Sequence, residues 1–138
     1  MKVNVTRVND ALLFESISES GASVFCDGPT HLGGVNGGLR PMEMLLSSIA
    51  SCSAFDVVHI LKKQRQEFTA FYVEVEGIRE KVEQTTPFKE IHMVFNFSGD
   101  LNLKKVERAV ELSVEKYCSV KASLHPSIHV SYEVKINL

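Results

Sequence analysis

Apolar and polar side chains alternate in short runs along the first 26 residues. Lys2 to Val8 puts Val3 and Val5 on one side, with polar neighbours between them. Asn9-Asp10 then reads as a turn and Ala11 to Ile17 as the return strand. Ser20-Gly21 is a second turn, followed by a strand over Ala22 to Cys26. The opening is an antiparallel meander. Asp27 to Leu39, DGPTHLGGVNGGL, holds five of the eight glycines and is predicted to be a loop in which backbone passes close to backbone. It lacks the G-K-[ST] ending and the strand–GxGxxG–helix setting of a phosphate loop.

The period changes at Pro41, a residue suited to the first position of a helix. A helix is predicted from there to about Arg65, with Glu43 in its first turn and Lys62, Lys63 and Arg65 in its last, as the helix dipole favours. Its apolar residues, from Met42 to Leu61, lie on nearly every side. Such a helix must be buried all round, and one sheet of a 138-residue chain cannot wrap it. A homodimer with this helix near the two-fold axis is the expected solution.

Phe68 to Val82 alternates as a long strand. Gln84 to Pro87 turns, and Phe88 to Phe97 returns with Ile91, Met93, Phe95 and Phe97 on one face. Asn102 is a good cap for a helix from Leu103 to about Tyr117. Cys118 falls at or just past its end, and Ile128 to Asn137 is the last strand. The predicted order is βββ-α-ββ-α-β, an α+β fold of antiparallel sheets on two main helices, formed as a single domain over residues 1–138.

Composition narrows the function. A net charge of -2 with scattered Lys and Arg, and no Trp, gives no basic stripe or stacking ladder for nucleic acid. The N-terminal MKVNVTRVNDALLF lacks the apolar core and cleavage site of a signal peptide. The longest uncharged apolar run, Met44 to Phe55, is shorter than the roughly 20 residues of a spanning helix. A soluble, cytosolic protein without a membrane partner is expected. Three cysteines, Cys26, Cys52 and Cys118, do not make a disulfide scaffold. Neither they nor His31, His92, His125 and His129 have a spacing that specifies a metal.

Cys52 stands out from a merely packed thiol. It lies in a polar string, Ser47-Ser48…Ser51-Cys52-Ser53, inside an apolar helix, and Asp56 and His59 share its face. Buried polar groups need partners, so this stripe is either a structural network or a site. Asp56 alone would disfavour a Cys52 thiolate, and a reactive thiol there needs a cation. Arg7, Arg40 and Arg79 are the candidates. A short helix opened by Cys118 would favour that thiolate through its dipole.

The stretch RPMEMLLSSIASCSAFDVVHILKKQRQ, residues 40–66, resembles the central helix of the OsmC/Ohr family, most closely its YhfA-like branch. ERAVELSVEKYCSV, residues 107–120, is similar to the family's second helix with its second cysteine, and the SYEV of the last strand also matches. The resemblance implies an intertwined α+β homodimer with two interfacial sites and no bound cofactor. In it Cys52 attacks an organic peroxide and becomes a sulfenic acid. Cys118 resolves this to a disulfide, and a dithiol reductant, often lipoyl-type, restores both thiols. The Ohr branch places a glutamate directly after the helix-opening proline, paired with an activating arginine. Here that position is Met42, and the acid is Glu43 one residue on. Arg40 and Glu43 are carried over as catalytic candidates. Met42, Leu45, Phe55 and Asp56 are the expected substrate pocket. The alternative is a non-enzymatic dimer that binds a small ligand or senses redox state in the same pocket. It would not need a thiolate at neutral pH.

Overall fold

The computed structural model describes residues 1–137. Its contacts gather into two compact units, Met1–Leu45 and Leu46 onward. No linker separates them, and the boundary falls inside a helix. Each unit holds one of the two three-stranded sheets.

In the first unit β1 (Val3–Arg7), β2 (Phe14–Ser18) and β3 (Ser23–Cys26) form an antiparallel sheet in that order. The strand β2 starts later than the alternation suggests. The Asn9 side-chain carbonyl takes the N–H groups of Ala11 and Leu13, at 2.9 and 3.2 Å, and so removes them from the ladder. Gly21 turns the chain into β3 with φ of 87°. The loop that follows is built on Asp27, which is buried. Its carboxylate accepts the N–H groups of Gly28, Val35 and Gly37 at 2.8, 2.9 and 3.0 Å. At Gly38 the loop passes so close to β3 that a Cβ would lie 2.4 Å from the Phe25 carbonyl.

Helix α1 (Pro41–Lys63) begins in the first unit. The second unit continues with β4 (Ala70–Arg79), β5 (Phe88–Ser98), α2 (Leu103–Leu112), a π turn over Ser113–Tyr117, α3 (Ser119–Ser123) and β6 (His129–Asn137). The order of strands and main helices is the predicted one. The sheet order is β4-β5-β6. β4 and β5 are antiparallel, but β6 runs parallel to β5, from Glu90↔His129 to Ser98↔Asn137. This corrects the expectation of purely antiparallel pairing. A hairpin cannot join parallel neighbours, and α2 to α3 supply the crossover that can.

The central strand β5 carries the core. Ile91, Met93, Phe95 and Phe97 are fully buried along it, as the alternation predicts. Phe71 stacks on Phe97 with centroids 4.4 Å apart, and Phe68 meets Phe97 edge-on at 5.9 Å. Each such side chain contributes about 2–3 kcal/mol on leaving water. Asn96, on the opposite face of β5, is also buried. Its amide donates to the Val94 carbonyl and the Glu74 carboxylate, which offsets its desolvation.

One stripe of α1 is buried: Ile49, Ala50, Ser53, Val57 and Leu61. The far side is not. Phe55 is 72% exposed and Val58 38%. A single chain thus covers one face of a helix whose composition asks for two. By length and composition α1 would also suffice to cross a bilayer. The helix is longer than the 12-residue uncharged run because it continues past Asp56 to Leu61. The chain itself encloses Ile49, Val57 and Leu61 completely.

Candidate thiol site

Cys52 sits beside the buried stripe of α1, one turn beyond Ile49, and is half-buried. Cys118 arrives from the other side of the sequence. Helix α2 presents Val106, Ala109 and Val110 inward, and Asn102 caps it by accepting the Lys105 N–H at 3.1 Å. The helix then widens into the π turn, where the Ser113 N–H is shared between the Ala109 and Val110 carbonyls. Single π turns inside helices recur at functional sites. Here the turn delivers Cys118 in extended backbone, φ −72° and ψ 99°, as the residue that ends it and caps α3.

Cys118 is almost fully buried, 4% exposed, and two groups fix its sulfur. It accepts the Lys121 N–H at 3.4 Å and points its S–H at the Ile49 carbonyl, 4.0 Å away. That second contact places Cys118 against the turn of α1 that holds Cys52. All three cysteines are free thiols.

Burial pushes the Cys118 thiol above its ordinary value, because a thiolate there loses its water. The Ser53 hydroxyl and the Lys121 N–H pull the other way, and neighbouring Cys52 adds to the upward push. Cys118 does open a short helix, as expected, but desolvation outweighs the help from that backbone. At neutral pH the arrangement is a half-accessible thiol beside a buried, protonated one.

Other predicted residues take different places. Asp56 is half-buried and His59 exposed, and neither bonds to Cys52 among the described residues. The Arg79 Nε donates to the Thr86 carbonyl at 2.7 Å, and the Arg7 Nε to the Ala11 carbonyl at 2.8 Å, so each guanidinium closes its own turn. The Arg40 Nη2 donates to the Asn36 side chain at 2.9 Å, and its charge helps hold Asp27 ionised. The Glu43 carboxylate accepts the Arg40 backbone N–H at 2.8 Å. Met42 and Leu45 are half-buried, and Phe55 is exposed.

Sequence reasoning missed two residues. Ser53 was only part of a polar string, and its signal is its spacing: Ile49, Ser53, Val57 and Leu61 recur every four residues. Asp27 was simply the first letter of a loop. An Asp at the head of a glycine-rich loop is the pattern of a side chain that organises backbone N–H groups.

Residues 34–133 match the family described as OsmC-like protein. The chain belongs to the OsmC-like family. Protein YhfA of Escherichia coli strain K12 is 39% identical to this OsmC-like chain over 131 residues, covering 91% of it and 92% of YhfA. A hypothetical protein from Aquifex aeolicus VF5, of known crystal structure, is 37% identical with a TM-score of 0.79, covering 99% and 97% of the two chains. The organic hydroperoxide resistance protein OhrB of Bacillus subtilis shares the OsmC-like fold at a TM-score of 0.66 with 22% identity, over 98% of each chain. The α+β architecture is thus that of the OsmC and Ohr proteins.

Proposed function

We propose that this chain is a thiol-dependent peroxidase acting on organic hydroperoxides as a cytoplasmic homodimer. The carrying observation is the contact between the Cys118 sulfur and the Ile49 carbonyl, which brings Cys118 to the turn of α1 bearing Cys52. Family membership, and the likeness to OhrB, an organic hydroperoxide resistance protein, support the choice of substrate class.

In this reading the Cys52 sulfur attacks the terminal oxygen of R–O–OH. The O–O bond breaks, Cys52 becomes a sulfenic acid and the alcohol leaves after taking a proton. Cys118 then attacks the oxidised sulfur. An S–S bond forms, and the hydroxyl departs as water with the Cys118 proton. A dithiol reductant, of lipoyl type, returns two electrons and regenerates both thiols. Arg40 and Glu43 serve by closing the glycine loop and the start of α1. Phe55 and Asp56 contribute to the substrate surface, completed by the second subunit over the exposed face of α1.

The test is mass spectrometry of the reduced protein after about one equivalent of cumene hydroperoxide, with and without Cys118→Ser. The expected products are a Cys52–Cys118 disulfide in the wild type and a Cys52 sulfenic or sulfinic acid in the variant. Unmodified Cys52 in both would remove the peroxidase reading. Equal rates with cumene hydroperoxide and hydrogen peroxide would remove the preference for organic substrates.

A further inference from the structure

Three serines on the helical segments of this chain satisfy their hydroxyls in the same way. Ser51 donates to the Ser47 carbonyl at 2.7 Å, Ser113 to Ala109 at 2.7 Å and Ser123 to Ser119 at 2.8 Å. Each uses the carbonyl four residues back, the usual refuge of a helical hydroxyl. Ser53 departs from this. Its Oγ is fully buried and makes no hydrogen bond of full geometry, although it lies near enough to Cys118 to favour the ionised sulfur. The Ile49 carbonyl, which that pattern would give it, faces the Cys118 S–H instead.

A buried hydroxyl without a partner costs about 1–3 kcal/mol, and satisfied neighbours show how easily α1 avoids that cost. The groups facing Cys118 are Cys52 and Ser53 from α1 and the Lys121 N–H from α3. The Lys121 ammonium itself is held by Glu115 at 2.7 Å. Among these, Ser53 and the Lys121 N–H are the two that favour a negative sulfur. The N–H is already donating to the thiol. The hydroxyl lies close to the sulfur without a fully formed hydrogen bond to it.

We propose that Ser53 is a positioning residue of the thiol pair, its Oγ–H being the donor held for the Cys118 thiolate. The protonated thiol points its hydrogen at the Ile49 carbonyl and leaves Ser53 idle. When Cys118 loses that proton, Ser53 rotates to donate to the sulfur. This matters most when the disulfide is reduced. Cys52 is half-exposed and Cys118 buried, so a dithiol reductant attacks the Cys52 sulfur. The S–S bond breaks, a mixed disulfide forms on Cys52, and Cys118 leaves as the thiolate that Ser53 receives. The reductant's second thiolate then frees Cys52 and completes the two-electron transfer. A better-stabilised leaving thiolate departs faster.

Ser53 acts on the charge of Cys118 whatever the oxidant, so this assignment and the peroxidase reading fail separately. The experiment uses a Cys26→Ser, Cys52→Ala background in which Cys118 is the sole thiol, titrated by thiolate absorbance near 240 nm. Adding Ser53→Ala is expected to lower the ionisation constant about tenfold, a rise of about one pH unit. Ser53→Thr, which keeps the hydroxyl, is expected to stay near the background value. Urea unfolding at pH 7, where the thiol is protonated, is expected to show Ser53→Ala as stable as the background or more so. An unmoved midpoint in Ser53→Ala overturns the proposal. So does a loss of stability or failure to fold in that variant, which would make the hydroxyl a structural group. A moved midpoint in a protein whose Cys52 ignores peroxide would keep Ser53 in this role and remove only the peroxidase.

Discussion

The Glu43 carboxylate accepts the backbone N–H of Arg40 at 2.8 Å, three residues back across the start of α1. The Arg40 carbonyl in turn receives the Met44 N–H at 2.9 Å, the first bond of the helix. This is the carboxylate half of a capping box, and it gives Glu43 a task that needs an acceptor and no charge at the thiol. Glu43→Ala is expected to cost about 1 kcal/mol in urea unfolding. Glu43→Gln keeps an acceptor and is expected to lose only a few tenths, with the rate of Cys52 oxidation close to wild type. A large rate loss in Glu43→Gln at unchanged stability would instead return the carboxylate to the chemistry.

Asp27 ties the glycine loop together, and its pH dependence follows from that geometry. The Gly37 N–H is the strongest of three donors that hold its carboxyl below the usual carboxylate value, against the opposing pull of burial. A depressed folded value means that the stabilisation is complete above the unfolded value, near 3.9. It is lost as pH falls through the lower folded one. The thermal midpoint of the wild type is therefore expected to fall from pH 5 to pH 2.5 by more than that of Asp27→Asn. The variant should already be less stable at pH 7. Parallel curves for the two proteins would show that Asp27 does not titrate with unfolding.

Much of this fold was legible in the sequence because its signals are local. The alternation of Ile91, Met93, Phe95 and Phe97 marks β5, and Asn102 marks the start of α2, wherever those elements end up. Parallel pairing of β6 was not legible, since β6 has the same alternation whichever way its neighbour runs. The position of Cys118 beside α1 was no more readable, because the contact of Cys118 with Ile49 depends on a π turn that no local pattern specified. Polar residues were the hardest. Ser53 differs from Ser51 only in which side of the helix it faces, and the burial of that side decides everything about its hydroxyl.

The Asn102 cap is a clean case of local chemistry. Its side chain accepts the Lys105 N–H at 3.1 Å, and its own backbone N–H is held by the Gln66 side chain at 2.9 Å. Asn102→Ala is expected to lower stability by about 1 kcal/mol, and Asn102→Asp to restore it. Chemical denaturation of the three proteins, compared at equal slope, measures this directly.

The exposed face of α1 gives a test of assembly. Phe55, 72% exposed on an otherwise apolar helix, is the largest side chain that a second copy would cover. The wild type is expected to sediment at twice the 15.4 kDa of one chain. Phe55→Glu would bury a charge in the interface and is expected to shift the protein toward the single-chain mass. A monomeric wild type would show that the face is left open.

Gly77 lies on β4 where the chain has no room for a side chain. A Cβ there would stand 2.2 and 2.6 Å from two ring carbons of Phe88 and 3.0 Å from a methyl of Leu46 on α1. Phe88 is 5% exposed and anchors the start of β5, so its ring cannot swing into water without opening the sheet. Nor is the backbone unusual here, since Gly77 has no positive φ. The cost of Gly77→Ala is therefore one of overpacking, expected at about 1–3 kcal/mol. It should be relieved by shrinking the neighbour: Gly77→Ala with Phe88→Leu is expected to lose less stability than the two single changes added together. Strict additivity in that cycle would mean that the ring and the new methyl do not meet, and that β4 shifts away from β5 instead.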